Sequence, residues 1–89
     1  MADNDTGPAK MARDAIATEV RAEMARQRKT QREVGEMLGL PQASIHLRLH
    51  GETPFRAEEL AILAAALDVP AEQFMRSATA LAGEQAGAA

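Results

Sequence analysis

The segment "TQREVGEMLGLPQASIHLRLHG" at residues 30–51 constrains the fold more than any other part of the chain. Two short amphipathic runs flank a glycine, the pattern of two small helices joined by a tight turn. Thr30 is a good amino-terminal cap, and Glu33 three residues later completes the capping-box spacing, so a helix starts at Gln31. Val34 and Leu38 give it one apolar face, and Gly39 stands where a left-handed cap ends it. Pro41 suits the first turn of the next helix, because its missing amide hydrogen would be unpaired there anyway. That helix runs to about His50, and Gly51 stops it. Gly35 gives up roughly 1 kcal/mol of helix propensity relative to alanine. A close crossing of the two backbones accounts for that sacrifice.

The flanking sequence is helical as well. No stretch alternates apolar and polar residues as a half-buried strand does, so the predicted class is all-α. Helix one runs from Ala9 to about Gln27, with Ile16, Val20 and Met24 recurring every fourth residue as a buried stripe. Helix four is "RAEELAILAAAL" at 56–67, with Leu60, Leu63, Ala64 and Leu67 on one face and two glutamates in the first turn. Asp68-Val69-Pro70 breaks it, and Pro70 opens a fifth helix through Phe74 toward Leu81. Residues 1–8 are expected to be a disordered lead-in and 82–89 a flexible tail, which leaves one domain at 9–81.

Several function classes fall away on composition. The chain of 89 residues supports one small core and no large catalytic cleft. It contains no cysteine, so neither disulfides nor thiolate metal sites are available. No apolar run approaches the ~20 residues that span a bilayer, and the polar, acidic start "MADNDTGPAK" is unlike a signal peptide, which places the chain in the cytoplasm. No nucleophile elbow, phosphate loop or paired-acid setting is present, so no enzyme and no cofactor is expected. His46 and His50 stand four apart, as two metal ligands can, but no third ligand accompanies them and no metal is expected.

Charge is distributed unevenly. The formal net charge is −3, yet residues 1–25 sum to −2, residues 26–56 to +3 and residues 57–89 to −4. The positive third holds the two short helices and the run "RQRKTQR" at 26–32, with four cations and no acid. A glycine-linked helix pair beside basic residues is the helix-turn-helix arrangement, in which the first helix crosses a phosphate backbone and the second enters the major groove. At 100° per residue, Ile45 and Leu49 face inward while Ala43, Leu47, His50 and, at the edge, His46 face outward and Gln42 projects from the leading end. Gln42 can pair with an adenine edge, and Ala43 and Leu47 can meet thymine methyl groups. Phosphate contacts are expected from Arg28, Lys29, Thr30 and Arg32 around the start of helix two, and from Ser44, Arg48 and His50 on helix three.

"TQREVGEMLGLPQASI" resembles the motif of lambdoid phage repressors, Cro and the wider Xre-type regulators. The similarity extends over about residues 18–75, since "HGETPFRAEELAILAAALDVP" also resembles the family's fourth-helix segment. It implies a five-helix lambda-repressor-like domain that binds double-stranded DNA at a palindromic operator as a transcriptional repressor, of phage-immunity or mobile-element type. It also implies that Gln31 braces a phosphate, that Gln42, Ala43, His46 and Leu47 face bases, and that Arg56 in the loop before helix four touches backbone. Leu47 stands where the family usually has a polar residue, Leu49 where glutamate is frequent, and Pro41 where serine or threonine caps.

The rival reading is a small helical protein-interaction module, such as an antitoxin or a regulator's partner. Ile62 lies across helix four from Leu60 and Leu67, and with Phe74, Met75 and Leu81 it forms an expected surface patch. On a DNA-binding domain the same patch would pair two subunits into a symmetric dimer.

Overall fold

The computed structural model describes residues 7–88, with side chains through residue 84. Five helices follow one another: α1 (Pro8–Gln27), α2 (Gln31–Leu38), α3 (Gln42–Leu49), α4 (Ala57–Leu67) and α5 (Glu72–Ala88). There is no strand among the described residues. The fold is the all-α one expected, and the differences lie at helix ends.

α1 begins one residue earlier than expected, because Pro8 takes the first helical position, where its fixed φ suits the helix and its missing N–H has no partner to lose. The rest of the expected lead-in, residues 1–6, lies outside the described residues. At its other end Arg28 adopts a left-handed conformation, φ 57° and ψ 43°, so that the Lys29 N–H reaches the Met24 carbonyl at 2.8 Å. Glycine usually fills such a position. Thr30 and Glu33 form the expected capping box. The Thr30 hydroxyl accepts from the Glu33 N–H at 3.1 Å, and the Glu33 carboxylate accepts from the Thr30 N–H at 2.8 Å.

Gly39 ends α2 at φ 67°, as its position required. Pro41 is not inside α3; it is the extended residue before it, with ψ 150°, and its carbonyl accepts from Ser44 and Ile45. Arg56 likewise precedes α4 and does not open it. Pro70 also stands ahead of its helix, with its carbonyl taking the Gln73 N–H at 3.0 Å. α5 continues to Ala88, past the Leu81 end expected from the sequence. Alanines at 82, 86 and 88 favour that continuation by intrinsic propensity.

One core joins all five helices. Val20 and Met24 of α1, Val34 of α2, Ile45 and Leu49 of α3, Leu60, Leu63 and Leu67 of α4 and Phe74 of α5 are buried together, with Ile16 packed at the edge. Phe74 is fully enclosed and therefore cannot belong to the expected surface patch. Among the described residues it is the largest completely buried side chain, and it anchors α5 against the remainder.

α1 and α5 are also joined through polar groups. Glu23, almost wholly buried, accepts from Arg26 at 2.9 Å, from Gln27 at 2.7 Å and, across fifty positions of sequence, from Gln73 at 2.7 Å. Hydrogen bonds from Gln27 and Arg26 outweigh burial and hold its carboxyl below the usual carboxylate value. Ser77 donates to Glu19 at 2.8 Å, and Gln27 also donates to the Leu67 carbonyl at 2.7 Å.

Candidate nucleic-acid interface

The geometry of α3 is set from below. Ile45 and Leu49 are 0% and 1% exposed, which fixes the face that α3 turns inward. Gly35 of α2 lets the turn fold back tightly: a Cβ there would lie 2.9 Å from the Leu40 carbonyl oxygen and 3.5 Å from Ile45 Cγ1. The close approach is thus chiefly to the turn and not to the backbone of α3. The carboxy-terminal end of α3 is tied to α1, where Arg21 donates to the Leu49 carbonyl. Gly51, at φ 74°, is in the left-handed conformation that favours glycine, and it lies against the carboxylate of Asp14 of α1.

Gln42, Ala43, His46, Leu47 and His50 are all exposed, as the helical wheel required. Leu47 is 40% exposed although it belongs to an otherwise well-packed domain. The His46 and His50 rings lie against each other with centroids 4.1 Å apart, and His50 Nδ1 donates to the His46 carbonyl at 2.9 Å. Among the described residues no group of three His, Cys, Asp or Glu side chains is placed to hold a metal ion.

Around the start of α2, Arg28 and Arg32 are exposed while Lys29 and Gln31 are half-buried. Arg28, Thr30, Arg32, Glu33, Glu36 and Gln42 line one open groove, which connects this basic end to the leading end of α3. Arg32 lies 3.8 Å from Glu36, with both side chains largely in solvent, so the pairing holds neither firmly. The Thr30 hydroxyl lies 3.3 Å from Glu33 Oε1 while accepting from the Glu33 amide, so its donor is engaged in the cap and not free for a phosphate. The Glu33 carboxyl is held below its ordinary value by the Thr30 amide hydrogen bond. Arg56 is exposed before α4, and Ser44 is half-buried within α3.

Arg48 departs from expectation. Its side chain is 11% exposed, and it binds Glu59 of α4 through two bonds, Nε to Oε1 at 2.9 Å and Nη2 to Oε2 at 3.1 Å. A guanidinium so enclosed is turned toward α4 and not toward solvent. Burial pushes the Glu59 carboxyl up, but hydrogen bonds from Arg48 and from the Arg56 amide, with the charges of both arginines, outweigh it and hold the group below the usual carboxylate value. By sequence alone Glu59 is a first-turn glutamate favoured by the helix dipole, with no sign of its partner. For Arg48 a signal was present: Ile45, Arg48 and Leu49 follow the i, i+3, i+4 pattern of a single buried stripe.

Of the expected surface patch, Ile62 is 46% and Met75 39% exposed, and Leu81 is half-buried. Among the described residues, no helix is long and apolar enough to cross a membrane.

Neither a curated protein nor a solved structure matches the chain. The family model described as helix-turn-helix matches residues 20–74, more than half of the chain and all of α2, α3 and α4. With its glycine-closed helix pair and outward-facing α3, the chain belongs to the helix-turn-helix family, a class of double-stranded-DNA-binding transcription regulators.

Proposed function

We propose that the protein is a transcriptional repressor, of phage-immunity or mobile-element type, that reads its operator by laying α3 in the major groove. The observation that carries this reading is the division of α3 into a sealed inner side, Ile45 and Leu49, and an open outer side, Gln42, Ala43, His46 and Leu47. An eight-residue helix is about 12 Å long, which matches the width of the major groove.

Gln42 at the leading end pairs with an adenine edge, and Ala43 and Leu47 meet thymine methyls, with His46 beside them. Arg28, Lys29, Gln31 and Arg32 meet phosphates on one side and Arg56 on the other, with Ser44 and His50 at the margins of the contact. The local positive balance of residues 26–56 offsets the net charge of −3 where it matters. One short helix reads only a few base pairs, so a symmetric dimer on a palindromic operator supplies the remaining specificity. Ile62, Met75 and Leu81 are the apolar side chains available for that pairing.

The test is selection from a randomised duplex pool, followed by fluorescence anisotropy at two salt concentrations. Saturable binding with a preferred sequence is expected, and Arg32→Ala should weaken every duplex alike and lower the salt slope by about 0.9. Binding that selects no sequence overturns the reading. The exposed Ile62 favours a second one, a helical interaction module such as an antitoxin, which predicts no saturable duplex binding and a protein partner that co-purifies.

A further inference from the structure

A buried ion pair on the inner flank of α3 is an odd economy. Two apolar side chains of similar volume would fill the same space with equal or better stability, because desolvating two charges offsets most of their attraction. What the pair supplies and an apolar contact does not is direction. Apolar burial is indifferent to small rotations, whereas two parallel N–H···O bonds fix the plane in which the two groups meet. Arg48 supplies both bonds to Glu59, and its Nη1 lies 3.3 Å from the Ser44 carbonyl one turn back on its own helix. The same Glu59 Oε1 accepts the Arg56 N–H at 2.9 Å. One carboxylate thus ties α3 to the loop that precedes α4.

We propose that the Arg48–Glu59 pair is a specificity-determining positioning device, which sets the angle at which α3 meets the bases relative to the backbone-contacting loop at Arg56. The inference rests on the major-groove reading above. Gln42 lies six residues before Arg48, about 9 Å along the helix, so a pivot of about 10° at Arg48 displaces it by about 1.5 Å. A productive contact tolerates about 0.5 Å. Loss of the pair therefore misplaces the base-reading end while the exposed cations still reach phosphates. Arg48 touches no base and acts only through the pose of its helix.

Two variants test this against the selected duplex and a scrambled duplex of the same length. Arg48→Lys keeps the charge and the aliphatic stem but cannot make the two-pronged bond. Arg48→Met with Glu59→Gln keeps the net charge, the volume and an acceptor for the Arg56 amide. Folding is followed by circular dichroism, and affinities are measured by anisotropy at two salt concentrations. The expected result is a fall of about tenfold or more in preference for the selected duplex, with scrambled-duplex affinity and salt slope unchanged. Should the double variant melt below the assay temperature, Arg48→Lys supplies the same comparison.

Full preference retained in a folded variant overturns the proposal, since the pair then only holds two helices together. Equal weakening on both duplexes, with the salt slope reduced by about 0.9 for the double variant, also overturns it and makes Arg48 a phosphate contact. A wild-type protein that prefers no duplex refutes the major-groove reading itself, before either variant is compared.

Discussion

Two substitutions on α3, two residues apart, separate folding from reading. Ile45→Ala removes three carbons from a side chain with no solvent exposure. At about 0.8 kcal/mol per buried methylene, plus the cavity that a close-packed core leaves behind, the loss is about 3–4 kcal/mol. A domain of this size loses about 4–8 °C of melting temperature per kcal/mol, so Tm should fall by about 12–32 °C. Leu47→Ala removes a side chain that is 40% exposed and places a better helix former in a helix. Its effect on stability should stay below about 1 kcal/mol, a few degrees in Tm. Its effect on DNA should be the larger one, a loss of about fivefold in preference for the selected duplex as a thymine-methyl contact worth about 1 kcal/mol disappears. Thermal melts by circular dichroism and anisotropy titrations of the same two preparations give both numbers. A melting temperature for Leu47→Ala as low as that of Ile45→Ala would show that the outer face of α3 is part of the core. Unchanged discrimination would show that Leu47 does not face bases.

Other outcomes follow from local geometry. Thr30→Ala removes the hydroxyl that caps α2 and should lower stability by about 1 kcal/mol, read as a lower urea midpoint with an unchanged slope. Glu23 and Glu59 are both held below their ordinary value of 4.5 in the folded chain, so the stability they supply is complete above that value and drains as pH falls through their lowered values. Urea midpoints should therefore be level from about pH 7 to 5 and decline below about 4.5, with a smaller decline in Glu23→Gln. At Gly35, leucine should destabilise by about 2 kcal/mol or more, because its Cβ meets a carbonyl oxygen and not a yielding side chain.

What could be read from the chain in advance was mostly local. Thr30 with Glu33, Gly39 and Gly51 act within a few residues of themselves, so the helix pair and its boundaries were legible. The left-handed turn at Arg28 was not, because nothing about an arginine signals it; it is the conformation that lets the Lys29 N–H turn back to the Met24 carbonyl and close α1. Pro41 stands one position and Pro70 two positions ahead of the helices they were expected to open, since proline serves equally well before a helix and at its first position. The outward set on α3 followed from a single angle per residue. Arg48 was misread because a charged side chain was assumed to face water, and its partner stands eleven positions away on a different helix. The same blindness to distant partners hid the meeting of Glu23 with Gln73 and the enclosure of Phe74.

The brevity of α3 has a consequence for how such a protein can change. Helices shorter than about 12–15 residues are marginal by themselves, so a synthetic peptide copying residues 41–50 should be a coil in water. Whatever vocabulary the helix carries is therefore not portable: it exists only while the neighbouring helices hold it. The converse is freedom, because side chains that contribute nothing to that support can be exchanged wholesale, and a new dialect can be written on the same frame without relearning how to fold.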